Sequence, residues 1–308
     1  MKKEKILDLV VIGAGPAGLT AGIYSSRAKL NFIILENELV GGQIRETPSI
    51  ENFPGFASIS GAELADKMQE HAEASGAVID EFDNILSVKF ANEEKIIETN
   101  NVIYKPKSVI IATGAKSKPL PVPEEKKLRG RGIHYCELCD GAMYDGKDIV
   151  VVGGGNSAVD AAIFLTKYAK TLTVVHRSEK LRAEAKSQEE LLKHANVKLM
   201  FNTQIEHVDG ENSIENIVLK DSKSGEKTNL KADAIFVYIG TTPKTELFKD
   251  YLDLTTLGHI KTNENLETNI RGVFAAGDVR EKEIRQLTTA VNDGSIAALM
   301  AEKYIRNS

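Results

Sequence analysis

Cys136 and Cys139 are the only two cysteines in the 308-residue chain, and they share the stretch "HYCELCDGAMYDG" with an acid, Asp140, beside the second. A pair at this spacing suits three chemistries: a metal clip, a structural bridge, or a disulfide that opens and closes. A structural zinc site needs four ligands. No second Cys-x-x-Cys or His pair exists and His134 does not complete the set, so no metal is expected. A bridge over so short a loop removes little entropy from the unfolded chain and stabilises poorly. Reversible disulfide chemistry is what remains.

A second group of residues could hold phosphates. "ILDLVVIG" (6–13) is apolar and β-branched, as a strand buried on both faces must be. "GAGPAG" follows it, comprising Gly13, Ala14, Gly15, Pro16, Ala17 and Gly18; then come a helical run and the strand "NFIILE", ending at Glu36. Strand, glycine turn, helix, strand and acid make the dinucleotide fingerprint in its proper context. Gly13 permits the tight turn, Gly15 lets a pyrophosphate approach, and Gly18 allows the helix to pack closely. The helix start offers unpaired N–H groups, and Glu36 can accept from a ribose hydroxyl.

The unit recurs. "KDIVVVGGGNSAVDAAIFLTKYAKTLTVVHR" places Gly153 140 residues after Gly13, and His176 140 residues after Glu36. Gly155 and Ala158 take the places of Gly15 and Gly18, with Asn156 and Ser157 between them. Two dinucleotide folds, hence two nucleotides, are expected. Apolar strands followed by glycine, at 109–114, 234–240 and 272–277, mark the seams. The fold class expected is α/β: two Rossmann-like, three-layer ββα domains, the second inserted into the first. The first domain would comprise 1–117 and 243–308, the second 118–242, with the linking strands as hinges. Ser60 and Glu63 read as a capping box opening a helix whose Leu64, Met68 and Ala72 face the core.

Composition excludes other classes. With 42% hydrophobic and 27% charged residues the chain can bury a sizeable core, and a net charge of −5 argues against nucleic acid or anionic membrane as partner. No apolar run reaches the roughly 18 residues that span a bilayer. The opening "MKKEKILDLVVIGAG" is basic, then apolar, but leads into a glycine loop without a cleavage site, and a cytoplasmic protein is expected. In a reducing cytosol a vicinal disulfide is usually catalytic or transient.

"GAGPAGL", "GGQI", "ENFPG", "ATGA", "CELCDG", "GGGNSAV" and "GVFAAGDV…RQ" follow one another along nearly the whole chain. In this order they resemble the bacterial low-molecular-weight thioredoxin reductases, in which the Cys-x-x-Cys stands just before the second nucleotide fold. In the glutathione-reductase-like branch the redox pair follows the first glycine motif, where this chain has "ENELVGGQIRE" and no cysteine. The resemblance implies FAD in the first fold, NADPH in the second, a homodimer, and thioredoxin as the protein substrate.

It carries over as FAD contacts the 13–18 loop, Glu36, Gly41, Gly42, Gln43, Asn52, Thr113 and Gly114, together with Gly277, Asp278, Arg285, Gln286 and Leu287. Asp278 suits a ribityl hydroxyl, and the helix after Gln286 can place positive potential at the flavin N1–C2=O end. Asn52 and Thr113 are also ordinary turn-formers. For NADPH it implies Gly153, Gly155, Asn156, Ser157, Ala158, His176, Arg177 and Arg182. Cys139 would face the flavin and Cys136 would attack the partner disulfide. Asp140 is placed to deliver or accept the proton as thiol and thiolate exchange, or to cap a helical turn.

One departure concerns the reductant. The family shows two adjacent arginines after the histidine and a third four residues on; here Ser178 replaces the second, in "HRSEKLRAE". Arg177 and Arg182 can still clamp a 2′-phosphate, though surface arginines are common, and no acid stands at 176 to suit NADH. Some relatives accept electrons from ferredoxin and have degraded nucleotide motifs, whereas this chain keeps "GGGNSA" intact. A reductase for another protein disulfide stays open as an alternative. A ferredoxin–NADP reductase would lack the Cys-x-x-Cys, and a flavin-based sensor would need an effector domain.

Overall fold

The computed structural model describes residues 2–47, 49–91 and 93–308, with the backbone alone at Glu46. Two compact units emerge, Met1–Lys116 with Thr242–Ser308, and Ser117–Thr241.

In chain order the first unit opens with β1 (Lys3–Ile12), α1 (Pro16–Arg27), β2 (Phe32–Glu36), α2 (Gly61–Ala74) and β3 (Ile79–Glu81). It continues with β4 (Ile85–Phe90), β5 (Lys95–Thr99) and β6 (Val102–Ile111). β7 (Ala115–Ser117) leads out of it. The second unit holds α3 (Glu125–Leu128), β8 (Ile133–His134), α4 (Glu137–Asp140), β9 (Asp148–Gly153), α5 (Asn156–Leu165), β10 (Thr171–Val175) and α6 (Ala185–Leu192). After these come β11 (Val197–Met200), β12 (Thr203–Asp209), β13 (Asn216–Asp221), β14 (Lys227–Leu230) and β15 (Ala234–Tyr238). β16 (Thr241–Pro243) leads back, and β17 (Val273–Ala275) and α7 (Leu287–Asn307) finish the first unit.

Each unit solves one packing problem in the same way. In the first, β3-β2-β1-β6 run parallel, β17 pairs with the end of β6, and β5 and β4 pair antiparallel beyond its beginning. Alternate residues of β1 face opposite ways. Leu9 and Val11 join Leu19, Ala21 and Ala297 of the helices, while Val10 and Ile12 join Val88 and Ile97 of the antiparallel hairpin. A strand covered on both sides must be apolar at every position, which is why "LVVI" shows no alternation. The second unit repeats this with parallel β11-β10-β9-β15-β8. Ile149 and Val151 face Val159 and Ala162 of α5, whereas Val150 and Val152 face Ile205 and Ile217 of the β12–β13–β14 layer.

β1 begins three residues earlier than the apolar run suggests. Lys3 to Lys5 pair with Val102 to Tyr104, because the equally long partner β6 supplies ladder hydrogen bonds that outweigh a polar sequence. Ion pairs such as Lys105–Glu4 (2.7 Å) and Lys107–Asp8 (2.8 Å) link the same two strands. α1 starts at Pro16, whose missing N–H costs nothing at a first helical position. At α2, Ser60 accepts from the Glu63 N–H, which is half of the expected capping box. Leu64 and Ala72 are buried and Met68 packs partly buried against the core.

Candidate functional site

In the first unit the residues of interest gather at the carboxyl ends of the parallel strands, where open α/β sheets bind ligands. Gly13 follows β1 with φ +104°, a region that L side chains rarely enter, and a Cβ there would lie 2.5 Å from the Ala112 carbonyl oxygen. Gly18 lies in the first turn of α1 with its Cα against the loop; a Cβ would meet the Gly13 carbonyl oxygen at 1.8 Å. Gly15, by contrast, faces open space, with nothing within 4 Å of an added Cβ. The loop is thus tight on its protein side and bare on its outer side, a cradle for something that approaches the backbone.

Glu36 at the end of β2 is already turned to this loop: Oε2 accepts from the Ala14 N–H at 2.7 Å and Oε1 from the Glu38 N–H at 2.9 Å. Gly41 N–H donates to the Ala14 carbonyl at 2.8 Å, and Gly42 and Gln43 open the 3-10 turn Gly42–Glu46. Asn52 Nδ2 reaches Gln286 Oε1 at 3.3 Å. Gln286 caps α7 reciprocally with Thr289, and Leu287 starts that helix. Thr113 Oγ1 donates to the Lys244 carbonyl at 2.8 Å, and Gly114 accepts from the Lys244 N–H at 3.0 Å. The hydroxyl of Thr113 therefore has a structural duty.

Gly277 and Asp278 form the turn after β17; Asp278 Oδ1, 3.8 Å from Lys282 Nζ, and Arg285 Nε are both buried and make no hydrogen bond among the described residues. Burial, reinforced by Asp293, pushes the Asp278 carboxyl up, while Lys282 and Arg285 oppose it. Burial likewise pushes Arg285 down. Unsatisfied buried groups cost free energy, and a buried acceptor and a buried donor without hydrogen bonds suit a polar ligand.

Beneath this turn lies a cluster that no motif announced. Asp293, buried on α7, accepts from Gly277 N–H (3.0 Å), Arg280 Nε (2.9 Å) and Lys282 Nζ (3.0 Å). Its one sequence signal is an acid on the small-residue face that α7 shares with Gly294, Ala297 and Ala301. Asp293→Asn is expected to lower unfolding free energy by about 2 kcal/mol, since two cations lose their charged acceptor; denaturant titration checks this.

The second unit carries the same cradle. Gly153 has φ +149° and its Cβ would lie 2.3 Å from the Tyr238 carbonyl oxygen, whereas Gly155 faces open space. Asn156 Oδ1 accepts from the Glu184 N–H at 2.9 Å and the Gly154 carbonyl from the Arg182 N–H at 2.6 Å, so the segment after β10 folds back on the loop. Asn156, Ser157 and Ala158 begin α5. His176 is buried, with its Nε2 unpartnered among the described residues and its ring beside Gly154. Burial first, then the Arg182 and Arg177 charges, hold it below the ordinary histidine range. Arg177, Ser178 and Arg182 are exposed.

Cys136 and Cys139 are bonded to each other in a disulfide at the two ends of a single helical turn of α4. The Cys139 N–H donates to Cys136 Sγ at 3.1 Å. Asp140 precedes the 3-10 turn Gly141–Tyr144 without capping it by its side chain; its carboxylate lies 3.2 Å from His134 Nδ1 instead. Sequence reasoning missed a second tether. Tyr238, at the end of β15, donates to Glu137 Oε2 and accepts from the Glu137 N–H at 2.9 Å. Burial and the Glu137 charge raise the Tyr238 hydroxyl far above its usual range. Among the described residues no group of His, Cys, Asp and Glu could hold a metal ion, and no helix is long and apolar enough to cross a membrane.

Two nucleotide cradles and an internal disulfide define a disulfide oxidoreductase, and comparison with known proteins agrees. Residues 7–294 match the family model described as pyridine nucleotide-disulphide oxidoreductase. A "34.2 kDa protein in rubredoxin operon" from Clostridium pasteurianum is 67% identical, over 99% of each chain. Thioredoxin reductase from Bacillus subtilis is 44% identical, over 99% of this chain and 96% of its own. The crystal structure of thioredoxin reductase from Streptococcus pyogenes superposes with a TM-score of 0.92 at 39% identity, covering 98% of this chain and 99% of that one. The chain belongs to the pyridine nucleotide-disulphide oxidoreductase family, in its low-molecular-weight bacterial thioredoxin reductase branch.

Proposed function

We propose that the protein is an NADPH-dependent thioredoxin reductase that holds FAD in its first unit and NADPH in its second and reduces thioredoxin through Cys136–Cys139. The observation that carries this reading is the disulfide itself, in the same unit as the second glycine cradle. When bound, FAD supplies two-electron chemistry between a nicotinamide and a disulfide.

The chain's own residues fit those groups. In the first unit the bare face of Gly15 would admit a pyrophosphate, Glu36 at the end of β2 would accept from a ribose hydroxyl, and Asp278 Oδ1 and Arg285 Nε would supply an acceptor and a donor to the ligand's polar atoms. In the second, Gly155 plays the part of Gly15. Because His176 is held neutral near pH 7, the positive charge for a 2′-phosphate comes from Arg177 and Arg182. Neither arginine is tied up in an ion pair among the described residues. Arg182→Ala is expected to raise KM for NADPH about tenfold or more and to leave KM for NADH nearly unchanged. Equal effects on both donors in steady-state assays would contradict the assignment.

At the redox turn the two sulfurs are unequal. Cys136 Sγ accepts an N–H hydrogen bond, which after reduction favours its thiolate, the nucleophilic form. Cys136 is therefore the sulfur that attacks the partner disulfide, and Cys139 the one that later closes the ring, while Asp140 takes and returns the proton. The test is anaerobic mixing of purified protein with NADPH and oxidised thioredoxin; absence of new thioredoxin thiols would refute the reading. A cytoplasmic homodimer completes the proposal, on the strength of the family alone.

A further inference from the structure

The redox turn is anchored through an imidazole that the proposed exchange leaves without a role. His134, in β8, is only 3% exposed. Its ring stacks on Phe236 of β15 with centroids 5.4 Å apart. It reaches in two directions: Nδ1 lies 3.2 Å from Asp140 Oδ2, and Nε2 lies 2.8 Å from the Tyr144 hydroxyl. All of these residues belong to the second unit.

Such a bridge has two self-consistent arrangements. With Asp140 ionised, Nδ1–H donates to the carboxylate and Nε2 accepts from the Tyr144 hydroxyl. With Asp140 protonated, its O–H donates to Nδ1 and Nε2–H donates to the Tyr144 oxygen. Neither leaves a buried ring nitrogen unpaired, so a proton can enter or leave Asp140 without disturbing the turn. Burial, helped by the Asp140 and Asp233 charges, pushes the Tyr144 hydroxyl up to about 12, which keeps it a neutral partner at working pH. Glu137 and Tyr238, also at this turn, bond each other.

We propose that His134 is a positioning residue for the exchange: it holds Asp140 at the redox turn and switches tautomer as that carboxyl gives up or receives a proton. This rests on reading Cys136–Cys139 as the exchanging pair. In the exchange the Cys136 thiolate attacks one partner sulfur and the partner's sulfur–sulfur bond breaks. The sulfur that leaves takes a proton from solvent, replacing the one Cys136 released there on ionising. The Cys139 thiolate, its proton accepted by Asp140, then attacks Cys136 Sγ and expels the second partner sulfur, which takes the proton back. The pair is oxidised, the partner disulfide is reduced, and two protons end on the partner.

The test uses the flavin-loaded wild type and the His134→Phe, His134→Asn and Tyr144→Phe variants. Each is reduced with dithiothreitol, desalted without oxygen, and alkylated with iodoacetamide across the pH range, with mass spectrometry reading Cys136 and Cys139. Turnover with thioredoxin is measured in parallel. His134→Phe is expected to move the alkylation profile by about half a pH unit or more and to slow turnover about tenfold. His134→Asn, whose amide still donates to Asp140, is expected to recover most of the loss. Tyr144→Phe deletes one oxygen from a half-buried ring and keeps the test decisive should His134→Phe fail to fold; its profile is expected to lie between those of wild type and His134→Phe. Profiles that superpose on wild type in every folded variant would overturn the proposal. A wild type that alkylates normally yet reduces no thioredoxin would refute the functional reading instead, and the alkylation profiles would still decide the role of His134.

Discussion

Cys136→Ser is expected to cut thioredoxin reduction by at least about a thousandfold, because a serine hydroxyl neither ionises near neutral pH nor exchanges with a disulfide. Cys139→Ser is expected to be as slow in turnover, but by a different route. Its Cys136 can still attack, and without a second sulfur to close the ring the enzyme is expected to stop as a mixed disulfide with its partner. Intact mass of the anaerobic reaction mixture separates the two: an adduct with Cys139→Ser and none with Cys136→Ser. The N–H of residue 139 donates to Cys136 Sγ from the backbone, so serine at 139 preserves that bond and the contrast is clean. An adduct formed through residue 139 would reverse the roles assigned to the two sulfurs.

The second large effect separates folding from binding. Gly18→Ala is expected to destabilise the first unit by at least about 3 kcal/mol, since its Cβ would fall 1.8 Å from the Gly13 carbonyl oxygen and backbone cannot yield as a side-chain tip does. Gly15→Ala meets no protein atom within 4 Å and is expected to leave the unfolding midpoint of the apoprotein unchanged. Its added methyl would stand where the pyrophosphate approaches, and the protein is expected to purify without yellow colour. Gly155→Ala, equally free of protein neighbours, is expected to stay yellow yet fail to be bleached by NADPH. Denaturant titration of the Gly18→Ala and Gly15→Ala proteins checks the stabilities, and visible spectra of Gly15→Ala and Gly155→Ala check the colour and bleaching. A yellow Gly15→Ala alongside a colourless Gly155→Ala would exchange the cofactor assignments of the two units.

The duplicated architecture is legible in the chain for a plain physical reason. A parallel strand covered on both faces has to be apolar throughout, and "LVVI" and "IVVV" can do little else. The turn that follows has to admit a positive φ and a close helix, which restricts Gly13 and Gly18 to one residue type. Legibility fades where contact depends on tertiary packing. His134 and Tyr144 are 10 residues apart, and Glu137 and Tyr238 are 101 apart, and no periodicity joins them. Asp140 shows the same thing from the other side. Its position before a helical turn suits a cap, but a buried imidazole 3.2 Å away competes for the carboxylate and wins. The beginning of β1 was hidden by Lys3, Glu4 and Lys5, whose strand pairing is imposed by β6.

Everything proposed for this protein requires electrons from the nicotinamide to arrive at the bond between residues 136 and 139. The direct measurement is an anaerobic titration of the purified holoprotein with NADPH, counting thiols by alkylation and mass as flavin absorbance is followed. Two new alkylatable sulfurs, at Cys136 and Cys139, should appear as NADPH is consumed. Flavin that bleaches fully while both sulfurs stay bonded, or a protein that neither carries nor takes up flavin, would contradict the account.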